Sequence, residues 1–260
     1  MPDLARDGWA VFPSEPAVLD WVAAALPLAR AAVADPVQRA KGLVCEGTWF
    51  VGVDALDNDA SGAVRGTPLR GAVRDAAEQL FGPLPLHPAQ VSVVWPGYPR
   101  PRDGESDAAF RYRQRRDGAH LDGLLPEGPD RRRFFREPHA WIMGLPLTDS
   151  PIEASPLVVW RGSHHILRRA LRRACQGHPP ERWSDLDLTD AYSSARSEVF
   201  ESCERVEVHA TPGQGYLLHR LALHGVAPWA GSEKATSDGR MIAYFRPILP
   251  GGAAQSLEVE

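Results

Sequence analysis

Pro212-Gly213-Gln214-Gly215-Tyr216-Leu217-Leu218-His219-Arg220-Leu221-Ala222-Leu223-His224-Gly225-Val226 is the stretch on which the reading of this chain turns. A Pro-Gly turn launches an apolar run that reads as one strand over residues 216–224, with a glycine behind its last histidine. Its two histidines are five residues apart, so on an unbroken strand they face opposite ways and at most one serves a site on either face. His224 stands where a side chain is presented at a strand rim. His219 sits mid-run, the usual place of a hydrogen-bonded core histidine. A bulge would upset the parity but not the difference in context.

Outward from this run the texture is the same. Residues 91–95 (Val-Ser-Val-Val-Trp) stop at Pro96-Gly97, and further short apolar runs follow at 140–147, Leu157–Trp160, Arg205–Val208 and 240–246. Many short strands with Pro and Gly turns predict a sandwich or jelly roll, not a parallel sheet with crossover helices. Residues 165–192 read as a helical insertion between strands. The first third differs: 16–34 is Ala- and Leu-rich with a helix break at Pro27, and 67–81 predicts a helix with Pro68 early and Gly82-Pro83 as its stop. A strand is expected at 48–53. The expectation is one domain over residues 1–260, a helical N-terminal part at 1–89 and a β core at 90–250.

Composition narrows the function classes. Of 260 residues, 43% are hydrophobic and 24% charged, the balance of a globular protein. A net charge of −4 argues against binding nucleic acid or an anionic membrane through bulk charge. Cys45, Cys175 and Cys203 are odd in number and form no Cys-x-x-Cys pair, which argues against a disulfide framework and a thiolate zinc site. The N-terminus shows Asp3, Arg6 and Asp7 in place of an apolar signal segment, and the apolar run at 21–34 reads as too short and too broken to span a bilayer. A cytoplasmic location is the expectation. Nothing indicates an oligomeric state.

Ala119-His120-Leu121-Asp122-Gly123 supplies the second element of a site. Residues two apart on a strand share a face, so His120 and Asp122 can chelate one metal. Alone, His-x-Asp is a common surface pattern. With His224 it makes two imidazoles and a carboxylate, which on one face of an octahedral metal leave three positions open for a co-substrate and oxygen. Arg240 opens the apolar strand Arg240-Met241-Ile242-Ala243-Tyr244-Phe245-Arg246, where an arginine is costly to bury unless an anion meets it. Its planar fork suits a carboxylate. Arg246 has the same parity and is a rival.

Together, the His-x-Asp, the strand entering Gly162-Ser163-His164, the Pro-Gly segment running into His224-Gly225 and the arginine strand resemble the phytanoyl-CoA dioxygenase family of 2-oxoglutarate-dependent Fe(II) oxygenases. The resemblance covers about residues 90 to 248, and Asp7-Gly8-Trp9-Ala10-Val11 also suits it. It implies a cupin-like double-stranded β-helix, His120, Asp122 and His224 as iron ligands, and Arg240 as the 2-oxoglutarate arginine. It also implies O2 as co-substrate and a small organic molecule as substrate. Related halogenases carry a small residue in place of the carboxylate, so Asp122 implies hydroxylation. One departure is the long gap between His224 and Arg240, which the polar loop 231–239 accounts for as an insertion.

Other readings stay open. A cupin-like isomerase or hydrolase could use the same triad without oxygen, and a non-catalytic jelly-roll binding protein could keep the fold. The arginines at 111–116 and 131–136 read as a solvated, ion-paired surface or as a rim recruiting an anionic substrate. Arg168, Arg169, Arg172 and Arg173 read as the wet face of an amphipathic helix. His164 and His165 read as a structural loop near the site mouth.

Overall fold

Apolar alternation in the β core builds two facing sheets. The computed structural model describes residues 3–230 and 238–258, so most of the loop expected to be an insertion lies outside the described residues. In chain order the elements are α1 (Leu4–Asp7), β1 (Trp9–Phe12), α2 (Pro16–Ala34), α3 (Pro36–Gly42), β2 (Leu43–Val44), β3 (Trp49–Gly52), α4 (Ala72–Phe81) and β4 (Gln90–Val94). Then come α5 (Asp107–Arg115), β5 (Leu124–Glu127), β6 (Arg132–Phe135), β7 (Trp141–Pro146), β8 (Leu157–Trp160), α6 (Ser163–Cys175), a 3-10 turn (Pro180–Asp185) and α7 (Thr189–Ser202). The chain closes with β9 (Arg205–Val208), β10 (Gly215–His219), β11 (His224–Val226), β12 (Arg240–Phe245) and α8 (Gly252–Glu258).

The large sheet runs β1-β10-β7-β12-β4-β3-β2, and the small one runs β11-β8-β9, with β5-β6 a separate hairpin. Every strand pairing is antiparallel. This is the jelly-roll arrangement expected of the sequence. The period-2 pattern sorts the side chains. Ile142, Tyr216, Leu218 and Ile242 face Leu157 and Val159 of the small sheet, while Met143, Leu145, Leu217, Ala243 and Phe245 point outward under α2 and α4. On the small sheet, Val158 and Trp160 point the other way, under α6 and α7.

The run at 216–224 is not one strand. β10 ends at His219, the chain turns, and β11 starts at His224 in the other sheet. The turn is made by hydrogen bonds that its composition does not announce. His219 Nδ1 accepts the Leu221 N–H at 3.1 Å, and the His219 carbonyl accepts the Ala222 N–H at 2.8 Å. Leu221 and Leu223 then bury against the α6–α7 layer. Strand parity therefore does not relate His219 to His224.

Three further expectations change. The 67–81 helix begins only at Ala72, because Gly71 adopts φ 118° and the Glu15 carboxylate accepts the Ala72 N–H at 2.7 Å. Pro68 lies before it. His164 and His165 lie in the first turn of α6, not in a loop. The break at Pro27 is absent: α2 runs unbroken over 19 residues, long and apolar enough to cross a bilayer by length and composition. It buries Val18, Trp21, Val22, Ala25 and Ala29 in the core, and Trp21 Nε1 donates to the Gly62 carbonyl at 2.7 Å.

Pro27 is exposed, and so is Ala23, four residues before it, whose carbonyl is freed. Water can satisfy that carbonyl, so the helix continues. Pro27 still carries the cost of an interior helix proline. Pro27→Ala should accordingly stabilise the protein by about 1–3 kcal/mol, read as a higher urea midpoint with an unchanged slope; a lower midpoint would show that the proline serves the fold.

Candidate metal centre

His120 and His224 are joined before their side chains meet. The His120 N–H donates to the His224 carbonyl at 2.8 Å, and the His224 N–H to the His120 carbonyl at 3.2 Å, an isolated antiparallel bridge. This bridge adds His120 to the β11 edge of the small sheet and sets the two rings 4.6 Å apart. Asp122 is not on an extended strand with His120; it opens the turn into β5.

Two glycines permit the approach. Gly123 has φ 79°, and a Cβ there would lie 2.0 Å from the Glu137 carbonyl oxygen. A Cβ on Gly225 would lie 2.2 Å from the Asp117 carbonyl oxygen, where the 117–119 backbone passes. Each glycine behind a candidate ligand is thus required by a neighbouring backbone.

The three side chains converge. One ligand atom from each of His120, Asp122 and His224 lies within 4.8 Å of the others. His120 Nε2 is 3.2 Å from Asp122 Oδ1, and His224 Nε2 is 3.8 Å from Asp122 Oδ2. Both rings are oriented from behind, His120 Nδ1 donating to the Gly118 carbonyl at 3.0 Å and His224 Nδ1 to the Ala222 carbonyl at 2.9 Å. That tautomer turns each Nε2 lone pair toward the carboxylate, which is how a ligating histidine is prepared. Two lone pairs and an anion facing one point repel unless a proton or a metal ion sits among them; without metal, a proton on His120 Nε2 takes that place and bonds Asp122 Oδ1. The donor set suits a first-row divalent metal.

The electrostatics agree. Burial opposes charge on Asp122, but the His120 hydrogen bond and the nearby His224 and Arg246 hold its carboxyl well below the usual range. His120, half exposed, has its pKa raised: burial opposes protonation, and the Asp122 carboxylate outweighs it.

The other candidates are placed as follows. His219 is buried away from the carboxylate, its ring 4.6 Å from that of His164. Arg240 is 6% exposed on the inner face of β12, opposite Val94 and near Tyr216. Tyr216 Oη donates to Tyr244 Oη at 2.8 Å across Gly144, where a Cβ would meet the Tyr216 ring at 2.2 Å. Among the described residues no carboxylate pairs with Arg240. Arg246 instead reaches Asp122 Oδ2 with Nη1 at 3.1 Å and Gln90 Oε1 with Nη2 at 2.5 Å.

Asp117 and Gln90 escaped the sequence reading. Asp117 is buried and held by both arms of Arg205 at 2.7 and 2.8 Å, anchoring the segment that carries His120. Nothing local in the sequence signals that pairing. Of the arginines flanking the triad, Arg113 pairs with Glu105, Arg132 with Asp187 and Arg136 with Glu127, whereas Arg116 lies over the Phe200 ring and Arg133 donates to the Leu124 carbonyl.

No family model and no curated protein sequence matches the chain. Among solved structures, SnoK, a non-heme alpha ketoglutarate dependent carbocyclase from nogalamycin biosynthesis, superposes with a TM-score of 0.53. The match covers 94% of this chain and 81% of SnoK at 17% identity. The chain shares the jelly-roll fold of SnoK. EctD from S. alaskensis, solved with 2-oxoglutarate and 5-hydroxyectoine, matches at a TM-score of 0.47 and 19% identity over 94% of this chain and 73% of EctD. At these identities the likeness to SnoK speaks for the jelly roll alone, and residue roles rest on the geometry above.

Buried histidines also set the pH response of the jelly roll. Burial holds His164 and His224 at about 4 and His219 well below its ordinary value, the last helped by the Arg220 charge. The folded values lie below the unfolded one of about 6.5, so the unfolded chain binds more protons between pH 4 and 6.5. Metal-free protein should therefore lose stability as pH falls through this window, by up to about 1.4 kcal/mol per pH unit for each histidine. Urea unfolding at pH 7 and pH 5 checks it; equal or greater stability at pH 5 would contradict it.

Proposed function

We propose that this chain is an Fe(II)- and 2-oxoglutarate-dependent oxygenase acting on a small organic molecule. The observation that carries the reading is the pairing of a two-histidine, one-carboxylate face with a buried arginine that lacks a carboxylate partner among the described residues. A metal-only isomerase or a binding protein has no use for such an arginine, because a buried guanidinium without an anion is costly. The alpha ketoglutarate dependence of SnoK supports the same class.

Iron with 2-oxoglutarate and O2 supplies an oxidant able to attack unactivated C–H bonds, releasing succinate and CO2. The chain's residues prepare and protect that chemistry. His120, Asp122 and His224 would hold the metal through two imidazoles and one carboxylate. Arg240 would take the distal carboxylate of 2-oxoglutarate, from a place on β12 near Tyr216. Arg246 cannot serve as that anchor, since its two outer nitrogens are already engaged. Ile142, Leu157, Leu218 and Val226 line the cavity beside the triad and exclude water. Asp122 fills the place that a halide would need, which favours hydroxylation as the outcome.

Anaerobic addition of Fe(II) and 2-oxoglutarate should give a weak visible charge-transfer band. His120→Ala and Asp122→Ala should abolish it. Arg240→Met should weaken 2-oxoglutarate binding by about 100-fold, the loss expected for a buried charge-assisted pair, and leave Fe(II) affinity within about 3-fold, an effect below 1 kcal/mol. A wild-type protein without the band and without retained iron would overturn the proposal.

A further inference from the structure

Arg246 touches the triad without belonging to it. Its side chain is 19% exposed, and its two outer nitrogens divide between Asp122 Oδ2 and Gln90 Oε1. The backbone is fixed on both sides of the guanidinium. The Arg246 N–H donates to His87 Nε2 at 3.0 Å, and His139 Nδ1 donates to the Arg246 carbonyl at 3.0 Å. His87 is prepared as that acceptor because its Nδ1 proton goes to the Pro88 carbonyl at 2.6 Å. Gln90 is itself buried on β4. An arginine held at its backbone and at two side-chain arms is a fixed point, not a mobile surface charge.

What it fixes is the carboxylate. Asp122 Oδ1 faces His120 Nε2 at 3.2 Å, whereas Oδ2, though 3.8 Å from His224 Nε2, is the oxygen that Arg246 grips. A carboxylate beside a divalent metal can ligate through one oxygen or both. With both, two histidines and Asp122 would occupy four of six positions and leave two. With one, three stay free, the number that a chelating co-substrate and oxygen need together.

We infer that Arg246, braced by Gln90, is a positioning residue that keeps Asp122 a one-oxygen ligand and thereby preserves the third open position on the metal. The inference rests on the metal-site reading above. Lysine could not replace this arginine, because a single ammonium lacks the planar fork that spans Asp122 and Gln90 together.

Mn(II)-loaded protein without 2-oxoglutarate tests the idea through water-proton relaxation, which counts exchangeable waters on the metal. Wild type should show about three. Arg246→Met should bind Mn(II) within about 10-fold of wild type, show about one water fewer, and bind 2-oxoglutarate at least about 10-fold more weakly. Gln90→Leu, which leaves both charges in place, should move the same two readings in the same direction by a smaller step, and decides the matter if Arg246→Met does not fold. A role confined to packing would lower stability and leave the water count alone. Wild-type water count and 2-oxoglutarate affinity in the variants would overturn the inference while leaving the metal site standing. A wild-type chain that binds no Mn(II) through His120, Asp122 and His224 would remove both.

Discussion

Everything in the site depends on the two backbone hydrogen bonds between His120 and His224. They bring two segments far apart in sequence into one register, so both imidazoles stand on one edge of the small sheet. Once that bridge is made, the carbonyls of Gly118 and Ala222 orient the rings, and Gly123 and Gly225 let the surrounding backbone close in. The metal face is thus a product of strand pairing and not of a flexible loop. Side chains carried by paired backbone hold their geometry within the tolerance that metal ligation demands.

The large sheet contributes the other half. Strand β12 carries Arg240 on its inner face at one end and leads into Arg246 at the other, with Ile242 and Tyr244 between them. The same period-2 spacing gives the two arginines unlike surroundings. Arg246 lies against the triad carboxylate and is neutralised there. Arg240 lies by the Tyr216–Tyr244 pair, and no carboxylate among the described residues pairs with it. Their division of labour follows from position along one strand.

The jelly roll was legible because it is written in strand periodicity and in Pro and Gly turns, both local signals. His120, Asp122 and His224 could be nominated from residue type and context. Strand parity does not separate His219 from His224, since a turn without Gly or Pro breaks the run between them. That turn is made by the His219 ring and by the burial of Leu221 and Leu223 under helices, which are tertiary facts. The partners of Arg246 and the grip of Arg205 on Asp117 were hidden for the same reason: a salt bridge across the fold leaves no mark at either end of the sequence. Pro27 shows the opposite failure, a strong local signal overruled on the exposed side of the helix, where water can satisfy the Ala23 carbonyl that it frees.

The central claim is that His120, Asp122 and His224 share one iron. Anomalous diffraction at the iron edge, from crystals loaded with Fe(II) without oxygen, tests this most directly. The account predicts one strong peak about 2.0–2.3 Å from Nε2 of both histidines and from an Asp122 oxygen, the bonding range of such ligands. A peak engaging His219, a peak elsewhere, or none in crystals shown to be exposed to iron would contradict it.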